Sequence, residues 1–132
     1  MDLIKISPNK ERVKSILKMV SLIEERIRTE NKEKMAALIV VDYYEMIKEL
    51  ATAALLADGY KTLSHKDLID YIKEKYSEFD AYETSFLNDL RILRNRISYE
   101  GLFIEPSFLF RNEPTFKEII QKLRGLINKK IS

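Results

Sequence analysis

Apolar residues along this chain recur at helical rather than alternating spacing, and they divide into five stretches. Val13, Ile16, Leu17, Val20, Ile23 and Ile27 predict a first amphipathic helix ending near Thr29. Ser7-Pro8 supplies its start signal, a capping hydroxyl ahead of a proline at the first helical position. A second helix runs from Asn31 or Lys32 to Asp58. It is apolar around most of its circumference, through Met35, Leu38, Ile39, Tyr43, Met46, Ile47, Leu50, Ala54 and Leu55. Such a helix belongs at the centre of a bundle. Ala51, Ala53, Ala54 and Ala57 leave room for close neighbours, and Gly59 stands where a left-handed cap belongs.

Ser64-His65-Lys66-Asp67 has the spacing of a capping box and opens a shorter third helix carrying Leu68, Ile69, Ile72 and Tyr76. After a loop through residues 77–81, a fourth helix spans Tyr82 to Tyr99 with Phe86, Leu90, Leu93 and Ile97 as its buried stripe. Residues 101–113 are apolar but aperiodic, with Pro106 inside, and read as an ordered, packed connection with room for one helical turn. Pro114 then opens a last helix with Phe116, Ile119, Ile120, Leu123 and Ile127 inward. The prediction is an all-α, up-down bundle of about five helices in a single domain, residues 1–132.

Composition supports long helices with few loops, because only 3 Gly and 3 Pro are available for turns. The 23 Lys and Arg against 21 Asp and Glu leave a net charge of +2, which argues against a surface that grips nucleic acid everywhere and permits a local basic patch. With no Cys, disulfides, zinc fingers and thiol catalysis are excluded. The single His65 cannot build a multi-histidine metal site, and no carboxylate cluster is spaced as a ligand set, so neither metal nor cofactor is expected. Met1-Asp2-Leu3-Ile4-Lys5 lacks the features of a secretion signal. The longest apolar run, Met35 to Val41, falls far short of the ~18–20 residues of a membrane span. A cytoplasmic protein without membrane insertion is the expectation.

The chemistry concentrates in Leu93-Arg94-Asn95-Arg96-Ile97-Ser98-Tyr99-Glu100-Gly101 at the end of the fourth helix. Together with Ala53-Ala54-Leu55-Leu56-Ala57-Asp58-Gly59-Tyr60-Lys61-Thr62-Leu63-Ser64-His65, this segment resembles the HEPN family (higher eukaryotes and prokaryotes nucleotide-binding domains). The resemblance implies a small helical bundle that commonly forms a homodimer with two motifs facing one cleft. It also implies a metal-independent ribonuclease acting as a toxin, or a partner of a small nucleotidyltransferase that serves as its antitoxin. In that family an Arg, usually followed by a polar residue such as Asn, is separated from a His by four to six residues. Arg94 and Asn95 match, but the position after four intervening residues holds Tyr99. Gly101 occupies the place of a tyrosine that receives nucleotidyl groups in some relatives.

The substitution matters chemically. An imidazole exchanges protons near neutrality, whereas a phenol titrates about three units higher and serves better as a hydrogen-bond donor or acid. Ribonuclease activity is therefore expected to be weakened or lost, with Arg94, Asn95 and Tyr99 as the candidate catalytic residues and Arg91, Arg94 and Arg96 as candidate RNA or nucleotide contacts. Arg94 borders the buried stripe, where an arginine either joins an interhelical salt bridge or reaches a phosphate. Asp89 and Glu100 lie close enough in sequence to neutralise the arginines. Tyr99 lies about 140° around the helix from Arg94, so a shared site calls for a distorted helix end or a second chain. His65 is expected at an exposed helix start as part of a cap, and Tyr43-Tyr44 in the core or a dimer surface. The competing reading is a non-catalytic dimeric structural or interaction module that has kept the bundle.

Overall fold

The computed structural model describes Met1–Ser132. Its five helices are α1 (Lys10–Thr29), α2 (Ala36–Asp58), α3 (His65–Lys75), α4 (Ala81–Glu100) and α5 (Pro106–Ile131). A two-residue strand β1 (Ile4–Lys5) pairs antiparallel with β2 (Tyr60–Lys61), which the hydrophobic pattern does not foretell. The all-helical bundle is as expected, and α2 is its axis. It packs against each of the other four helices, and Ile39, Val40, Met46, Leu50, Ala53 and Ala54 along it are wholly buried. Thirty-one buried apolar side chains form one continuous core. No helix is long and apolar enough to cross a membrane.

The helix boundaries depart from the sequence reading at three places, each for a local reason. Ser7 and Pro8 do not cap α1, because the segment before them is held extended. The Ile6 N–H donates to the Gly59 carbonyl at 2.8 Å, next to the β1–β2 pair. Asn9 caps instead, its Oδ1 accepting from the Arg12 N–H at 3.1 Å. Gly59 takes the left-handed conformation foreseen for it (φ 90°), and a Cβ there would also stand 3.2 Å from the Ile6 carbonyl oxygen.

The start of α2 slips from Asn31 or Lys32 to Ala36. The Asn31 side chain accepts from the N–H groups of Glu33 (3.0 Å) and Lys34 (3.1 Å), closing a separate turn before the helix begins.

The largest departure is α5. It starts at Pro106, eight residues before Pro114, which lies inside the helix. Leu109, Glu113, Phe116, Ile120, Leu123 and Ile127 form one buried stripe, and the buried Glu113 beside Pro114 breaks the apolar rhythm that would reveal it. Proline removes the hydrogen bond to the carbonyl four residues earlier. Here that carbonyl belongs to Phe110, and both Phe110 and Pro114 face solvent, where water can replace the lost donor.

Two caps then fix α3 and α4, which carry much of the site. Ser64 Oγ accepts from the Asp67 N–H at 3.2 Å as predicted, but Asp67 turns outward and accepts from the Asp2 N–H at 3.1 Å. Asp80 and Glu83 form a reciprocal capping box at the start of α4, and Gly101 (φ 69°) ends it in the left-handed conformation.

Candidate functional site

Arg91 and Arg94 lie three residues apart on α4, on the face turned toward α2. From α2 come Tyr44, Glu45 and Lys48, and from the first position of α3 comes His65. Arg94 is the hub. Its Nη1 donates to Asn95 Oδ1 and to Tyr99 Oη, both at 3.3 Å, and its Nη2 donates to Glu45 Oε1 at 3.3 Å. The guanidinium carbon sits 5.8 Å from the centre of the Tyr44 ring and 5.7 Å from that of Tyr99, so the cation is flanked by two aromatic groups. Its side chain is only 18% exposed, while Tyr99 covers it from the solvent side and is 76% exposed.

These polar contacts are long for a charged donor, since charge-assisted N–H···O bonds run at about 2.7–2.9 Å. Glu45 is held more closely by Lys48, at 2.6 Å, than by Arg94. The Nε atoms of Arg91 and Arg94 are both buried without a hydrogen-bond partner. Arg91 is otherwise engaged only by Asn88 Oδ1, at 3.3 Å. Two arginines on one helix face thus each carry a buried donor without an acceptor.

Beneath Arg94, the Tyr44 hydroxyl and His65 Nδ1 share a hydrogen bond of 3.1 Å. Burial pushes the Tyr44 phenol up to about 12, against the opposing pull of Arg94 and Arg91. Burial also lowers the His65 pKa, reinforced by the positive charges of Lys48, Arg94 and Arg91. Both shifts favour the neutral forms, a phenol and an uncharged imidazole sharing one hydrogen bond. For Arg94, burial acts to weaken its hold on the proton, but Tyr99 and Glu45 outweigh it and the guanidinium stays charged. The site brings together three cations, three polar or ionisable groups on neighbouring helices (Tyr44, Glu45 and His65) and the Tyr99 phenol, and no three His, Asp or Glu side chains converge.

Three sequence expectations need correction. Arg94 and Tyr99 meet within one chain and one regular helix, so their contact requires neither a distorted helix end nor a second copy. The angular separation is bridged by two long side chains that lean toward each other. His65 is not at an exposed start but half-buried against Tyr44. Arg96 does not join Arg91 and Arg94. It is exposed on another face of α4 and pairs with Glu100 at 3.5 Å.

Tyr44, Glu45, Lys48 and His65 were the residues that sequence reasoning did not place in the site. The available signal was Glu45 and Lys48, three apart, interrupting an otherwise apolar central helix next to a tyrosine. A search with the chain finds no matching protein-family model and no matching curated protein.

Proposed function

We propose that this chain is a HEPN-like helical protein that binds RNA or a nucleotide at Arg94, Asn95 and Tyr99, together with Arg91, Tyr44 and His65. In this reading it is a toxin-type component, or the partner of a small nucleotidyltransferase, and its ribonuclease activity is weakened or lost. The observation that carries the reading is the state of Arg94. It is a charged guanidinium flanked by Tyr44 and Tyr99, met by acceptors no closer than 3.3 Å, with its Nε unpartnered. A phosphate arriving there would replace long contacts with short, charge-assisted ones. The exposed Tyr99 ring offers a nucleobase a surface for stacking.

The missing motif histidine bears on catalysis. Tyr99 is a poor base, and the one imidazole of the chain reaches the cluster from α3 through Tyr44. Homodimerisation belongs to the same proposal, supported by the exposed apolar Ile92, Tyr99 and Phe103 at and just beyond the C-terminal half of α4. The test is incubation of the purified chain with total RNA in the presence of a chelator, beside binding of a labelled short RNA. The proposal expects binding that Arg94→Ala abolishes, with little or no cleavage. Absence of binding by the wild-type chain would overturn it.

One observation favours a second reading, a non-catalytic interaction module. Arg94 and Glu45 form an interhelical ion pair that is largely shielded from water. In that reading Arg94→Ala lowers stability and there is no RNA affinity to lose.

A further inference from the structure

The largest cleft of the molecule shares no lining residue with the Arg94 cluster. It lies between α1 and α5, over Tyr43 of α2, with a volume of about 400 Å³. Ile27 and Ile120 supply apolar walls, and both are almost fully buried. Tyr43 forms the floor, stacked on Phe116 at a ring separation of 4.7 Å and donating its hydroxyl to Glu113 at 2.7 Å.

Four cations line this cleft, Arg28, Lys32, Lys117 and Arg124, against two carboxylates, Glu24 and Glu113. The carboxylates are already committed. Glu24 takes Arg124 at 2.8 Å and Arg28 at 3.3 Å, and Glu113 takes Lys32 at 2.9 Å besides the Tyr43 hydroxyl. Lys32 lies in the turn that Asn31 closes ahead of α2. Lys117 is an exposed lining residue that takes part in none of these pairs. An excess of two positive charges is therefore gathered in one concavity of a chain whose whole net charge is only +2.

We propose that this cleft is a second ligand site, and that it takes a small organic phosphate monoester. A phosphomonoester carries about −1.5 to −2 charges at neutral pH, which matches the excess of two, whereas a simple carboxylate would neutralise only half of it. Arg28 and Arg124 present guanidinium forks suited to phosphate oxygens, and Lys117 presents a mobile ammonium. The volume falls within the ~300–1,000 Å³ of small-molecule sites and exceeds what inorganic phosphate would fill. The remaining space, walled by Ile27 and Ile120, fits a compact organic body.

The experiment is a titration of the ¹⁵N-labelled full chain with ribose 5-phosphate, inorganic phosphate and ribose, followed by amide chemical shifts. Ribose 5-phosphate is expected to give saturable shifts confined to residues 24–32 and 113–124, with inorganic phosphate about tenfold weaker and ribose inert. Lys117→Glu reverses an exposed, unpaired charge without touching the core. It is expected to weaken ribose 5-phosphate by about tenfold or more, while Arg94→Ala leaves the cleft titration unchanged. No saturable shift at the cleft overturns the proposal, as does binding indifferent to Lys117→Glu. Equal binding of inorganic phosphate overturns the organic part of it. Because the Arg94 variant is a separate arm, failure at the cleft does not touch the RNA-binding proposal, nor the reverse.

Discussion

Arg94 donates to the phenolic oxygen of Tyr99 at 3.3 Å, five residues further along the same helix, while its guanidinium lies against the Tyr99 ring. Tyr99 therefore acts on the arginine directly, as an acceptor and as a cover. Tyr99→Phe removes the acceptor and keeps the ring; Tyr99→Ala removes both. Because the ring is exposed, thermal melts should place both variants within about 1 kcal/mol of the wild type. RNA affinity should fall by less than about threefold in the phenylalanine variant and by about tenfold in the alanine variant. Equal losses in the two would locate the effect in the hydroxyl instead of the ring.

Much of this arrangement was legible in advance, and the remainder was hidden for identifiable reasons. The apolar rhythm of Ile39, Met46, Leu50 and Ala54 marks α2 as the axis, and Gly59 marks its end. Arg94 was found at the edge of its helix's buried stripe. The meeting of His65 and Tyr44 depends on how α3 docks against α2, and periodicity along each helix carries no information about that docking. The angular separation of Arg94 and Tyr99 was correct for backbone directions but neglected the reach of the two side chains. The first turns of α5 were missed because Glu113 sits where an apolar residue would continue the stripe and Pro114 follows it.

Pro114 itself offers a test of the helix assignment. In an exposed helix interior, proline is about 3 kcal/mol less favourable than alanine. The solvent-facing position recovers part of that through water at the Phe110 carbonyl. Pro114→Ala is expected to stabilise the chain by about 1–2 kcal/mol in chemical denaturation. A loss of stability would mean that the proline ends one helix and begins another.

Glu113 links folding to pH. Burial alone would raise its carboxyl, but the hydrogen bonds from Tyr43 and Lys32 outweigh it and hold the pKa below the ordinary 4.5. Above that value the carboxylate is ionised in both folded and unfolded chains, and its stabilisation is complete. As pH falls below 4.5 the unfolded chain takes up the proton first, so this stability is lost on the way down to the folded pKa. Glu113→Gln should cost about 1–3 kcal/mol at neutral pH, with the gap to wild type narrowing as acid is added. Stability curves that remain parallel through this range would show that Glu113 is not the linked group.

His65 should titrate below its ordinary 6.5 in the folded chain, because burial and the nearby Lys48 and Arg94 disfavour its charged form. Proton NMR of the single histidine reads this without ambiguity. Lys48→Ala removes one opposing charge and is expected to raise the midpoint, while Arg94→Ala should raise it as well. A midpoint at or above the ordinary value would remove His65 from the charged surroundings described for it.

The central claim is that Arg94 is held ready for a phosphate. Its most direct measurement is fluorescence anisotropy of a labelled single-stranded RNA titrated with wild-type chain and with Arg94→Lys, at two salt concentrations. The account predicts saturable binding that weakens as salt rises, and an affinity about tenfold lower for the lysine variant, which keeps the charge but loses the fork. Equal affinity of the two proteins, or no binding by either, would contradict it.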